Sequence, residues 1–182
     1  NKIKTLQSET DMVDGQAFVH EYKPALKMIV VGAVHISQGL ISMAKTLDID
    51  ITLVDPRTAY ASEERFPDTT FLTDWPDEAL EKIGINSSTA IVTLSHDPKL
   101  DDPALEIAMR SDAFYIAALG SRKTQKQRRI RLKDKGYSDV EIARIHGPAG
   151  LDIGALEPAE IALSILSELV SIRRAENIKG IA

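Results

Sequence analysis

The chain contains no cysteine. A disulfide scaffold, a thiolate metal site and a cysteine nucleophile are therefore excluded within it. That usage suits a reducing compartment, and the expected location is cytoplasmic. Long apolar runs are also missing. The longest, Met28–Val31 and Ala113–Leu119, fall far short of the ~20 residues that cross a bilayer, so no membrane partner is expected. Nothing in the opening residues reads as a cationic leader. Nor is there an excess of basic charge: 22 Lys and Arg against 27 Asp and Glu leave a net charge of −5, which argues against a nucleic-acid binder.

What is present describes a folded protein. The 182 residues are 43% hydrophobic and 27% charged, enough to bury one core without staples. Residues 1–23 read as a polar arm or linker, with one edge strand over 16–22. Residues 24–182 read as a single domain. There, short apolar runs alternate with helical stretches. Strands are expected at Lys27–Val31, Asp50–Val54, Thr70–Thr73, Thr89–Leu94 and Ala113–Leu119. Helices are expected over Ser37–Thr46, Asp77–Ile83, Asp102–Arg110 and Thr124–Lys135, after the capping box at Ser138, and over Pro158–Ile172. Strands apolar throughout, alternating with helices, imply a parallel sheet covered on both faces: an α/β, Rossmann-like, doubly wound domain.

In such sheets ligands bind beyond the carboxyl ends of the strands. After the first main strand, Gly32-Ala33-Val34-His35-Ile36-Ser37-Gln38 has the position of a dinucleotide fingerprint, with Val34 and Ser37 where glycines belong. Asp55, 23 positions after Gly32, stands where a ribose-binding acid would, and Arg57 follows it. The next stretch, Ser95–Pro103, crowds His96, Asp97, Lys99, Asp101 and Asp102 into a turn-rich segment suited to a polar ligand, to proton chemistry or to a weak metal site. Asp101 or Asp102 is expected to cap the helix that follows. The third, Gly120-Ser121-Arg122-Lys123-Thr124, leads into a helix whose segment Arg122–Lys135 holds eight basic residues and one acidic one. A helix N-terminus presents unpaired N–H groups, and Arg122 and Arg128 are candidates for phosphate. The fourth, Ile145–Ala155, is expected to lie off the sheet. Its glycines Gly147, Gly150 and Gly154 and its polar groups His146 and Asp152 indicate a shaped, ligand-facing loop.

Three of these stretches, SHDPKLDDPAL, ALGSRKT and IHGPAGLDIGA, together with VVGAVHISQ, VDPR and ERFP, resemble the C-terminal domain of the XdhC/CoxI family in order from about Pro24 to Ile172. The resemblance implies a chaperone for the molybdenum cofactor (molybdopterin, or its dinucleotide form). Such a protein binds the cofactor, assists its maturation or insertion, and serves an apo molybdenum hydroxylase of the xanthine dehydrogenase type. It also implies a homodimer and an N-terminal XdhC-type domain bearing a cysteine motif, which is here a separate protein, a removed part or genuinely absent. The cofactor-binding candidates are Gly32, His35, Gln38, Asp55, Arg57, His96, Asp97, Lys99, Asp101, Gly120, Ser121, Arg122, Thr124, Arg128, His146, Gly150, Asp152 and Gly154. No catalytic residue is assigned. The family's first loop usually reads Gly-Ala-Gly-His; here Val34 replaces the second glycine. The rival readings are an NAD(P)-binding oxidoreductase and a nucleotide-sensing regulatory domain.

Overall fold

The computed structural model describes residues 8–13, 16–21, 25–60 and 62–179. Strands β1 (Ser8–Val13) and β2 (Gln16–Glu21) pair antiparallel with each other in a two-stranded sheet. The strand expected over 16–22 is thus present, but its partner is the segment before it rather than the main sheet. Polar Ser8–Val13 carries no apolar alternation that would announce a strand.

The main sheet contains β3 (Lys27–Val31), β4 (Asp50–Val54), β5 (Thr70–Leu72), β6 (Thr89–Thr93), β7 (Tyr115–Ala118) and β8 (Ile145–His146). Its order is β5-β4-β3-β6-β7-β8, and every pairing is parallel. Chain order reverses between β3 and β6, the Rossmann switch point. Around the sheet lie α1 (His35–Lys45), α2 (Pro76–Ile83), α3 (Pro98–Arg110), α4 (Arg122–Asp134), α5 (Asp139–Ile142) and α6 (Pro158–Lys179).

Strands β3, β4, β6 and β7 are largely buried on both sides because two layers cover them, while the edge strands β5 and β8 are only partly buried. Met28, Val30, Leu53, Val92 and Ala117 face Leu40, Ala44, Ile165 and Leu169 of α1 and α6. Ile29, Val31, Ile91 and Ile116 face Ala79, Leu80, Leu105 and Ala108 of α2 and α3. The period of two along the strands meets the 3.6-residue stripe of each helix.

Two local expectations change. Helix α3 begins at Pro98, not Asp102. Asp97 is its cap, accepting from the Lys99 N–H at 2.9 Å, because Pro98 supplies the preset φ of a first helical residue. Asp101 and Asp102 are consequently inside the helix, as is Pro103, and neither acid caps it. The stretch Ile145–Ala155 does not lie wholly off the sheet: Ile145 and His146 pair with Ile116 and Ala117 as its edge strand. Two residues are too few for a period to be read. Among the described residues no helix is long and apolar enough to cross a membrane.

Candidate functional site

The loop after β3 is closed upon itself. Gly32 has φ +108°, and a Cβ there would sit 2.8 Å from the Ser95 nitrogen, so the loops after β3 and β6 meet at the switch point. The Ala33 N–H donates to Asp55 Oδ2 at 2.7 Å, and the Val34 N–H to Ser37 Oγ at 3.3 Å. Asp55 is fully buried and also accepts from the Arg57 backbone N–H (2.9 Å), Nε (2.9 Å) and Nη2 (2.8 Å). Burial alone would raise its pKa. The Arg57 guanidinium and the two backbone donors outweigh that and hold it below the ordinary carboxylate value. Exposed His35 meets Gln38 (Nδ1 to Oε1, 3.2 Å), and Gln38 donates to the Arg65 carbonyl.

Behind the loop after β6, Ser95 Oγ donates to Asp101 Oδ1 at 2.6 Å and accepts from the Asp97 N–H at 3.1 Å. This tight turn leaves His96 exposed with φ +62°, a conformation that costs a non-glycine residue about 1–2 kcal/mol. Lys99 is exposed on the first turn of α3. Asp101 faces inward. Burial pushes its carboxyl up, against the pull of Ser95 and Arg128. Asp97 with His96 and Asp101 does not form a metal site: no cluster of three His, Cys, Asp or Glu exists among the described residues.

At the end of β7, Gly120 adopts φ +131° and packs on Thr124. Ser121 caps α4, its Oγ accepting from the Thr124 N–H at 3.2 Å. The N–H groups of the first turn, at Arg122 and Lys123, have no intrahelical acceptor. Arg128 does not join them. Its side chain is 4% exposed and turns between α3 and α4, where it donates to Asp101 Oδ2 (3.2 Å), the Leu119 carbonyl (3.3 Å) and Gln125 Oε1 (2.5 Å). Arg131 pairs with Asp102 beside it, Nε to Oδ2 at 2.6 Å. Arg128 is therefore a clamp between helices, not a phosphate ligand: its position six residues into α4 places it on the inner face with Leu132.

The loop after β8, which includes a cis Gly147–Pro148 bond, is stitched to both neighbours. The Ala149 N–H donates to the Ala118 carbonyl and the Leu151 N–H to the Ser164 carbonyl on α6. Gly150, at φ +95°, passes so close to Ser164 and Ile165 that a side chain would overlap them. Glu168 on α6 binds three groups: the Tyr115 hydroxyl (2.6 Å), the Gly150 N–H (3.0 Å) and His146 Nδ1 (3.2 Å). His146 is thus an anchor of the loop. Burial, and then the Glu168 carboxylate, push the Tyr115 hydroxyl pKa up.

Between these walls opens a cleft of about 540 Å³, within the range of small-molecule sites. Of the expected residues, His96, Gly120, Ser121, Arg122, Gly150, Asp152 and Gly154 line it. Arg122 and Asp152, both about nine-tenths exposed, stand 3.8 Å apart at its mouth. Gly32, His35, Gln38, Asp55, Arg57, Asp97, Lys99, Asp101, Thr124, Arg128 and His146 are not among its lining residues. Sequence reasoning missed Glu168, Tyr115, Gln125 and Ser164. Glu168 had a signal: it stands on the α6 stripe, seven residues after Ile161 and three after Ile165, where an acid needs a partner. A second groove of about 540 Å³, between α1 and α6 at Met43, Leu47, Leu163 and Val170, holds no charged group.

The cleft offers backbone N–H groups, one guanidinium, one imidazole and small hydroxyls, with the Asp152 carboxylate at its mouth beside Arg122, a set suited to a polar guest whose anionic end meets the α4 N-terminus. The chain is similar to the Escherichia coli (strain K12) molybdenum cofactor insertion chaperone PaoD, 28% identical over 152 residues, covering 84% of this chain and 42% of that protein. It is similar also to a probable xanthine dehydrogenase subunit of Bacillus subtilis (strain 168), 26% identical over 158 residues, covering 86% and 46%. A crystal structure described as a xanthine dehydrogenase from Bacillus halodurans superposes with a TM-score of 0.75 at 26% identity, covering 89% of this chain and 46% of that one. The chain thus spans less than half the length of these relatives. Residues 28–169 match the XdhC Rossmann domain, and the chain belongs to the XdhC family.

Proposed function

We propose that this chain binds the molybdenum cofactor as cargo in the cleft beyond β6, β7 and β8, assists its maturation or insertion, and passes it to an apo molybdenum hydroxylase of the xanthine dehydrogenase type. The observation that carries the reading is the convergence of the Gly120 turn, the α4 N-terminus with Arg122, and the glycine loop of residues 148–155 on one open space. The first-turn N–H groups of α4, Ser121 and Arg122 hold the phosphate of the cargo. His96 and the backbone of the glycine loop face the hydrogen-bonding edges of the pterin. Arg122 is exposed and already near Asp152, so the grip is reversible, as delivery requires. The name of the relative PaoD supports the cargo, and that of the Bacillus subtilis relative supports the kind of client. A homodimer, a separate N-terminal XdhC-type domain and a cytoplasmic setting belong to the same proposal.

The test is titration of the purified chain with isolated molybdenum cofactor under anaerobic conditions, followed by pterin fluorescence, beside calorimetry with NADH and NADPH. Saturable cofactor binding without nucleotide heat is the expected result. Micromolar NADH or NADPH binding with no cofactor binding would turn the assignment to the oxidoreductase reading, for which the strand order and Asp55 speak.

A further inference from the structure

The fold sorts the basic residues of Arg122–Lys135 by partner. One set is matched by acids: Arg128 with Asp101, Arg131 with Asp102 and Lys135 with Glu106. Another is not. Arg122, Lys126, Arg129 and Lys133 stand at i, i+4, i+7 and i+11, so they form one exposed stripe down α4. The stripe starts at the cleft mouth and runs about 16 Å along the helix. Among the described residues only its two ends form ion pairs, Arg122 with Asp152 at 3.8 Å and Lys133 with Asp139 at 2.8 Å. Like charges one turn apart, and basic residues in a first turn, both destabilise a helix, so folding alone does not account for the stripe. Beside it, Lys126 and Arg129 wall a groove of about 190 Å³ between α4, α5 and β8, floored by Leu132, Ile142 and Ile145. Lys123 and Ile130, the latter 51% exposed, stand on the opposite flank. Outside Arg122–Lys135 the chain carries 14 Lys and Arg against 26 Asp and Glu.

Resting on the delivery reading, we propose that this stripe is where the acceptor enzyme docks: an acidic surface of the acceptor lies along Arg122, Lys126, Arg129 and Lys133, with an apolar side chain in the groove beside them. Charge complementarity selects an acidic partner. The apolar floor of the groove and Ile130 fit a protein better than a nucleic acid, whose phosphates would leave them uncovered. A permanent second copy on this face would stand over the mouth through which cargo enters, whereas an acceptor stands there only for the transfer. Exposed, salt-screened contacts of this kind steer encounter and then let go, as transfer requires.

Surface plasmon resonance of the full chain against the apo molybdenum hydroxylase of the same organism, at two ionic strengths, tests this, beside titration of each protein with molybdenum cofactor. Lys126→Glu with Arg129→Glu reverses the middle of the stripe using helix-forming residues. Arg173→Glu with Arg174→Glu, towards the end of α6 away from the cleft, makes the same change of net charge elsewhere. The expected result for the α4 variant is an association rate lower by about ten-fold or more at low salt, a gap that narrows at high salt. The α6 variant should change the rate by less than about two-fold, and both should keep the cofactor affinity of the unaltered chain. A smaller fall, an equal fall in the α6 variant, a matching loss of cofactor affinity, or no binding of the apo enzyme by the unaltered chain overturns the docking site while leaving cofactor binding standing. Loss of a dimer in the α4 variant by light scattering, or retention of duplex DNA by the unaltered chain and not by that variant, overturns it likewise. If the unaltered chain binds no molybdenum cofactor, the delivery reading itself fails, and this inference with it.

Discussion

Replacing Arg128 by Met separates a structural role for this residue from the phosphate-binding role its position in a basic helix suggests. The substitution keeps length and helix propensity, so the loss comes from the guanidinium. That group is 4% exposed and its partner Asp101 is 1% exposed. Without it, Asp101 keeps only the Ser95 donors, and the Leu119 carbonyl and Gln125 Oε1 lose theirs. Removing one member of a buried ion pair costs about 3–5 kcal/mol. In a domain of this size each kcal/mol lowers the melting temperature by about 2–4 °C, so the expected drop is about 6–20 °C at pH 7. The pH dependence has a definite sign. Burial raises the folded-state pKa of Asp101 above its unfolded value, so a lone Asp101 is least harmful below the unfolded pKa and most harmful once pH has risen through the folded one. The deficit of the variant should therefore shrink between pH 7 and pH 4. Adding Asp101→Asn, which removes the orphaned charge but keeps an acceptor for Ser95, should recover at least half of the loss. Calorimetric or circular-dichroism melting reads all three results. A drop under about 3 °C, or a double variant as unstable as the sum of the singles, would refute the clamp.

Arg122→Ala should weaken cofactor binding about 5-fold, the ~1 kcal/mol of a solvent-screened contact, and flatten its dependence on salt; fluorescence titration at two ionic strengths checks this. Gly150→Ala forces a side chain against Ser164 and Ile165 at a positive φ, and should cost roughly 1–3 kcal/mol in urea unfolding while loosening the cleft wall. The Asp55 pKa is depressed by folding. Its stabilisation is complete above the unfolded carboxylate value near ~3.9 and fades as pH falls through the folded value, so Asp55→Asn should lower stability at pH 7 and flatten the acid limb below pH ~4.

Much of this arrangement can be read from the residues alone, because parallel strands buried on both faces are written as apolar runs. Five of the six strands of the main sheet and five of the six helices stand within a few residues of where periodicity and capping put them; α6 begins at Pro158 as expected but runs to Lys179, seven residues past Ile172. The misses have physical causes. Two prolines compete for the start of α3, and only the fold shows that Pro98 takes the first position while Pro103 is tolerated one turn further in. The edge strand Ile145–His146 has no period to detect. For the site, the stretches around His96, Gly120 and Gly150 do converge on one cleft. Arg128 and Asp101 were indistinguishable from solvent-facing charges until α3 and α4 were packed together. Leu132, four residues after Arg128, hints at the buried face only once that packing is known.

Hydrogen exchange of the chain with and without isolated molybdenum cofactor tests the central claim most directly. Protection should appear in residues 120–124 and 148–155, with the Gly32–Val34 loop unchanged. Protection at Gly32–Val34 and none at the α4 N-terminus would contradict the account.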